Sequence, residues 1–179
     1  EYKQTRSPEA TQAFVQHVAG MLTFALTLIT AIGILAAPWI ITASAAGFLK
    51  HPDKFALSVE LLKVVWPYIL LISLSSFVGS ILNTYHKFSI PAFTPTLLNI
   101  CLIATMWLGV PQMQALGYPG IYAQALGVML GGIAQLLLQL WALKKINMLP
   151  RIGLTWQAIK TSWQHEDTQR ILRLMLPAV

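Results

Sequence analysis

The sequence predicts an all-α protein that crosses a membrane several times. Of its 179 residues, 56% are hydrophobic and only 10% are charged, whereas soluble domains carry about 25% charged residues. Residues without charge or histidine form three long runs, at 18–49, 64–85 and 88–143. About 20 apolar residues are enough for a helix to cross the hydrocarbon core, so each run is long enough.

The first two runs each predict one membrane helix. The first helix is expected at about 12–45, with a kink at Pro38, because proline removes a backbone hydrogen bond. Ser7 or Thr11 is suited to cap its start. The second helix is expected at about 60–84. The polar connection before it has, in part, the apolar spacing of a short helix lying in the interface.

The third run is too long for one crossing, since a helix rises about 1.5 Å per residue. Glycine and proline between Gly109 and Gly120 mark where the chain turns back. Helices are therefore expected at about 91–109 and 119–143. Beyond them, apolar residues at helical spacing predict an interfacial helix at about 154–165, and 168–179 reads as the onset of a further membrane helix. We expect the chain to be a piece of a longer polypeptide.

The distribution of lysine and arginine predicts the orientation. Nine of the 12 such residues lie in the N-terminal arm, in the turn after the second helix and after the fourth helix. Three lie between the first two helices, and the turn between the third and fourth has none. Cytoplasmic loops carry the excess of basic residues, so the N-terminus is expected in the cytoplasm.

The formal net charge of +6 does not predict a nucleic-acid partner, because the cations flank apolar runs instead of forming a face interleaved with aromatic residues. The sequence contains no set of residues typical of a catalytic, metal or cofactor site. Its only cysteine, Cys101, excludes a disulfide within the chain and lies in an apolar run.

Side-chain amides inside the predicted helices are the weak candidates for binding substrate, namely Asn83, Asn99 and Gln135. An unpaired amide in hydrocarbon costs several kcal/mol. These groups therefore indicate either hydrogen bonds between helices or the polar lining of a substrate path. Gln124 and Gln139 on the fourth helix allow the same two interpretations.

Two further pairs of residues predict packing or bending. Gly127 and Gly131 continue a small-residue spacing begun by Ala123, which allows helix backbones to approach closely. Pro91 and Pro95 begin the third helix, and Pro95 lies deep enough to leave a carbonyl without its usual partner. Pro95 is either a passive kink or a flexible point in a carrier that alternates its access.

Several blocks of sequence resemble one family. They are Phe55–Ser58, Pro67–Leu74, Ile81–Thr84, Phe88–Ile100, Gly131–Gln135 followed by two lysines, and Leu172–Ala178. Together they resemble the MurJ/MviN family of bacterial lipid II flippases, and the stretch Ile81–Ile100 carries most of the resemblance.

The resemblance implies a fold of the MOP/MATE-like type, with two helical bundles. This chain would be part of the N-terminal bundle, from about the third membrane helix to the start of the seventh, in the bacterial cytoplasmic (inner) membrane. It also implies alternating-access transport of the lipid-linked peptidoglycan precursor to the periplasmic leaflet. The other partners would be membrane lipids and the rest of the polypeptide. The arginines of the family's cationic cavity lie outside this chain.

Three other functions are the alternatives to a lipid II flippase. One is another exporter of the same superfamily, for a lipid-linked polysaccharide or for drugs. The second is a membrane enzyme acting on lipid-linked sugars, for which paired carboxylates or histidines at the membrane edge are needed and no convincing set exists. The third is a membrane scaffold without transport activity.

Overall fold

A computed structural model describes residues 7–148, 160–161, 163–164 and 166–175, and the regular structure in these ranges is helical. In chain order, the helices are α1 Pro8–Leu35, α2 Ala37–Ser44, α3 Pro52–Val65, α4 Tyr68–Thr84, α5 Ser89–Ala104, α6 Val110–Ala115, α7 Ile121–Lys145 and α8 Glu166–Met175. A 3-10 turn, Ala46–Lys50, precedes α3, and a π-helical segment, Thr105–Gly109, joins α5 to α6.

Four helical segments are long and apolar enough to cross a membrane: Pro8–Leu35, Pro52–Thr84, Ser89–Ala115 and Ile121–Lys145. Large apolar side chains on their outer faces are exposed, such as Leu35 and Trp107, at 76% and 78%. Such surfaces are suited to contact with lipid or with further protein. The prediction of an all-α, multispanning membrane protein is confirmed.

A serine cap and proline residues mark where the first two spans begin and bend. Ser7 caps α1, accepting a hydrogen bond on Oγ from the Ala10 backbone N–H at 3.2 Å. The first span is broken at Ala36, just ahead of Pro38. The second begins at Pro52, earlier than the predicted 60. Proline is well suited to the first turn of a helix, and the positive end of the helix dipole stabilises the carboxylate of Asp53.

The third span extends to Ala115, beyond the predicted end at 109. Within the π-helical segment the Val110 N–H bonds to the carbonyl of Thr105, one residue further back than in an α-helix. Pro111 follows in the first turn of α6, where the N–H that proline lacks would have no partner within the helix. The chain turns only at Gly117, whose φ of 82° suits glycine.

α7 is the central helix, in contact with α5, α4 and α3. Its small residues make this possible. A methyl group on Gly131 would lie 3.2 Å from the Cα of Leu98 on α5, and one on Gly127 would overlap Thr105. On another face, Gly132 lies against Tyr68 of α4. The glycines of α7 therefore leave room for the side chains of Leu98 and Thr105, which lets the helices pack closely.

The C-terminal ends of α4 and α7 lie together and have the same type of cap. His86 and Asn147 both adopt positive φ, 60° and 57°, one residue past the cap. In each case the next N–H, of Lys87 or Met148, bonds to the carbonyl five residues back, which is the Schellman motif. The Tyr85 hydroxyl donates to Met148 Sδ at 3.3 Å, and both residues join an apolar core with Val15, Leu82 and Leu143.

The predicted interfacial helix at 154–165 lies mostly outside the described residues. The predicted onset of a further membrane helix overlaps α8, which contacts α1 and continues to Met175. Residues 176–179 lie outside the described part.

The indole of Trp66 links the second span to the first. Trp66 Nε1 donates to the Ile29 carbonyl at 3.1 Å, and the ring occupies the space that a side chain on Gly33 would need. We expect Gly33→Ala to lower the free energy of unfolding by about 1–3 kcal/mol through overpacking. Unfolding in a detergent titration followed by circular dichroism measures it.

Gly47→Ala is the matched control, because no atom lies within 4 Å of the added methyl group. It is expected to change the free energy of unfolding by less than about 0.5 kcal/mol. Equal effects of the two substitutions would contradict the role assigned to Trp66.

Candidate functional site

A polar cleft of about 350 Å³ lies between α4, α5 and α7. Its lining combines hydroxyl and amide groups with apolar walls and contains no charged side chain. The lining residues are Tyr68, Ile72, Ser75, Ser76, Gly79, Ser80, Asn83, Pro91, Thr94, Pro95, Leu98, Gln135 and Gln139. Such a concentration of polar groups within membrane-spanning helices is costly unless the groups are paired or face a polar space.

Two glutamines on successive turns of α7 form the floor of the cleft. Gln135 Nε2 donates to the backbone carbonyl of Thr94 on α5 at 2.7 Å, and Gln139 Nε2 donates to Ser75 Oγ on α4 at 2.6 Å. All four residues are buried. Each of the two amides therefore bonds α7 to a different neighbouring helix. Both amides can face the cleft because residues at i and i+4 lie on the same side of a helix.

On the α5 wall of the cleft, a side-chain hydrogen bond replaces a backbone hydrogen bond that proline removes. Pro95 has no N–H to donate to the carbonyl of Pro91, four residues earlier. The hydroxyl of Thr94 donates to that carbonyl instead, at 2.8 Å. The proline in mid-helix therefore leaves no acceptor unpaired at this point.

The α4 wall presents its polar groups at the rim. Ser76, Ser80 and Asn83 are exposed and lie at successive helical turns. The Ser80 hydroxyl donates to the Ser76 carbonyl at 2.9 Å, so its proton stays within the helix while its oxygen can accept from outside. The rim can therefore receive hydrogen bonds from whatever enters the cleft.

The structure brings together some of the residues predicted from the sequence. Asn83, Gln135, Pro91 and Pro95 line the cleft. Asn99 is exposed on α5 and does not line it. Gly127 and Gly131 lie at the contact between α5 and α7, where Gly131 meets Leu98 of the cleft wall.

Sequence reasoning did not single out the cleft residues Ser75, Ser76, Ser80 and Thr94. Serine and threonine are common in membrane helices as packing residues, so each alone carries little information. The detectable signal was the spacing of Ser76, Ser80 and Asn83, which places them on one face of α4.

Groups that would support metal chemistry do not occur in the described part of the chain, where no three His, Cys, Asp or Glu residues lie close enough to hold an ion. The carboxylate of Glu60, in the second span, accepts a hydrogen bond from the Tyr122 hydroxyl of α7. Tyr122 belongs to the first turn of α7, at the opposite end from Gln139, so this pair is separate from the cleft.

Comparison with known proteins gives one consistent family. The family model described as lipid II flippase MurJ matches residues 1–179. The lipid II flippase MurJ of Burkholderia cenocepacia is 37% identical over 179 residues, which cover 99% of this chain and 33% of that protein. A probable lipid II flippase MurJ from Buchnera aphidicola subsp. Acyrthosiphon pisum is 40% identical, covering 100% of this chain and 33% of the relative.

The probable lipid II flippase MurJ of Haemophilus influenzae is 32% identical over 186 residues, covering 34% of its own length. The chain therefore spans about a third of the length of the curated relatives it matches.

The two glutamines Gln135 and Gln124 give a matched pair of substitutions. Gln135→Leu removes the bond from α7 to α5, and we expect it to lower the free energy of unfolding by about 1 kcal/mol. Gln124 Nε2 is buried without a partner, so Gln124→Leu should be neutral or stabilising. Detergent-titration unfolding compares them, and a larger loss for Gln124→Leu would contradict the hydrogen-bond assignment.

Proposed function

This chain belongs to the lipid II flippase MurJ family, and on that premise we propose that it forms part of a lipid II flippase. In this proposal the complete protein moves the lipid-linked peptidoglycan precursor from the cytoplasmic to the periplasmic leaflet by alternating access. The family match over all 179 residues is the observation that carries the proposal. Relatives that match the whole chain and bear the flippase name support it.

Within that protein, the proposed role of these four spans is to form the wall of one helical bundle of MOP/MATE-like type. Two features support a structural wall over a site for the diphosphate. The cleft lining is uncharged, and a diphosphate is bound best by arginine or lysine. α7 is in contact with four other helices, α3, α4, α5 and α6, as suits the central member of a bundle. The diphosphate is accordingly assigned to the part of the family protein beyond this chain.

The proposed orientation places the N-terminus and the α4–α5 turn in the cytoplasm, with the protein in the inner membrane. Contact between Tyr85 and Met148 holds the ends of α4 and α7 together, so Lys87, Lys144 and Lys145 lie at one end of the spans. Lys145 Nζ lies 3.6 Å from the centre of the Trp141 ring, an aromatic and basic pair typical of a membrane interface. This concentration of basic residues supports a cytoplasmic end.

Genetic complementation tests the function. A full-length family protein carrying this segment is expected to sustain growth and rod shape when the resident lipid II flippase of a host bacterium is depleted. Expression and membrane insertion are measured in parallel by immunoblotting. A protein that is inserted at normal levels and does not restore growth would contradict flippase activity.

Cysteine labelling tests the orientation. In a full-length protein with Cys101 replaced by serine, Ala115→Cys is expected to react with a membrane-impermeant maleimide from the periplasm, because it is the last residue of α6 and of the third span. Lys87→Cys, in the α4–α5 turn, is the matched position and should react only after the cells are opened. The reverse pattern would overturn the orientation.

A further inference from the structure

Two helix breaks bound the segment 37–65, which consists of α2, the 3-10 turn and α3 and is called the arm below. At its start, α1 ends at Ala36, whose ψ of 2° lies outside the α-helical range, and Pro38 follows in the first turn of α2. At its end, Pro67 has no N–H to donate to the carbonyl of Lys63, so the helix is interrupted between α3 and α4.

The two breaks lie side by side, because Trp66 holds the second against the first span. Its Nε1 donates to the Ile29 carbonyl at 3.1 Å, and its ring fills the space beside Gly33, about one turn before Ala36. Two helix breaks that are neighbours in space define one axis, about which the segment between them can rotate as a body. Hinges in proteins are typically a few residues at the ends of helices that absorb a change in φ and ψ.

Little of the arm is buried. Between residues 37 and 65, Ala37 and Val59 are the buried residues, whereas α7 has nine buried residues in its 25. No atom lies within 4 Å of a methyl group built on Gly47, near the tip of the arm. α2 and α3 do contact each other, so the arm has a shape of its own. Regions with few buried contacts move or open at a lower free energy than the core.

One hydrogen bond between side chains joins the arm to α7. The carboxylate of Glu60 on α3 accepts from the hydroxyl of Tyr122 in the first turn of α7. Glu60 is exposed, so this bond lies at the surface of the bundle and can break without repacking its interior. The ring of Tyr118 lies edge-to-face against that of Tyr122, with centroids 6.3 Å apart.

The rest of the bundle is held by buried bonds instead. Gln135 Nε2 donates to the Thr94 carbonyl and Gln139 Nε2 to Ser75 Oγ, and all four residues are buried. Breaking either bond would leave a polar group unpaired in a low-dielectric interior. Motion is therefore expected in the arm before it is expected between α4, α5 and α7.

We propose that the arm is a hinged element that swings about the paired breaks at Ala36 and Trp66–Pro67 and is latched to α7 by the hydrogen bond between Tyr122 and Glu60. When latched, α3 covers the first turns of α7, and when released, it uncovers them. In the proposed orientation these turns lie at the periplasmic end, where the arm changes access to the bundle. Only this last step rests on the proposed orientation and flippase function.

The test measures one distance across the hinge by pulsed electron paramagnetic resonance. A full-length protein in lipid nanodiscs, with every native cysteine replaced, receives nitroxide labels at Gly47→Cys and Ala115→Cys. The first label is near the tip of the arm, at an exposed position with open space around it. The second ends α6, which packs on α7 outside the arm.

Tyr122→Phe tests the latch, because it removes the hydroxyl and keeps the ring. The wild type is expected to show a dominant distance for the latched arm and a minor one for the released arm. In Tyr122→Phe the ratio of released to latched arm should rise about fivefold, as the loss of one hydrogen bond of ordinary strength would cause. Tyr118→Phe is the matched control, since it removes the hydroxyl of the neighbouring ring, and it should leave the ratio unchanged.

Pro67→Ala tests the hinge. Alanine restores an N–H that can bond to the carbonyl of Lys63, so α3 and α4 would join into a stiffer helix. Added to Tyr122→Phe, this substitution is expected to narrow the distance distribution about twofold, because proline is a usual cause of a helix kink.

One equally narrow distance in the wild type and in Tyr122→Phe would overturn the proposal, since the arm would then be rigid. Equal effects of Tyr118→Phe and Tyr122→Phe would overturn the latch, and an unchanged width after Pro67→Ala would overturn the hinge. The distances are measured without substrate. Failure of complementation would therefore refute the flippase function and leave the result on the arm as it is.

Discussion

The pairing of polar groups without the help of water is the constraint on which this structure depends. Hydrocarbon offers no hydrogen bonds, so each buried amide or hydroxyl needs a partner in the protein. α7 meets this requirement with two glutamines, one bonded to α5 and one to α4. Its glycines bring the neighbouring backbones close enough for those bonds to form. The close packing of the three helices and the polarity of the cleft thus have the same origin.

Most of the fold could be predicted from the sequence, because the distance between charged residues shows which segments are long enough to cross a membrane. The three uncharged runs gave the number of spans, and the glycine and proline residues between 109 and 120 showed that the third run folds back. The boundaries were less predictable. Pro52 starts α3 and Pro111 continues the third span through a π-helical segment, since a proline in a first turn permits a helix instead of ending it.

The cleft was only partly predictable, for a different reason. Amides stand out in an apolar helix, so Asn83 and Gln135 were identified from the sequence alone. Serine and threonine satisfy themselves on their own helix, as Ser80 and Thr94 do, and so give no comparable signal. Asn99 has the same chemistry as Asn83, and only the rotation of α5 about its axis decides that it does not line the cleft. That rotation follows from contacts distant in sequence.

Thr94 takes part in two hydrogen bonds, one within α5 and one to α7. Its hydroxyl replaces the hydrogen bond that Pro95 removes, and its carbonyl receives the amide of Gln135. Straightening or bending α5 at Pro95 would move both atoms together, so the local flexibility of α5 and its attachment to α7 share one residue. A change in the bend of α5 at Pro95 would therefore also displace the acceptor that anchors Gln135 of α7.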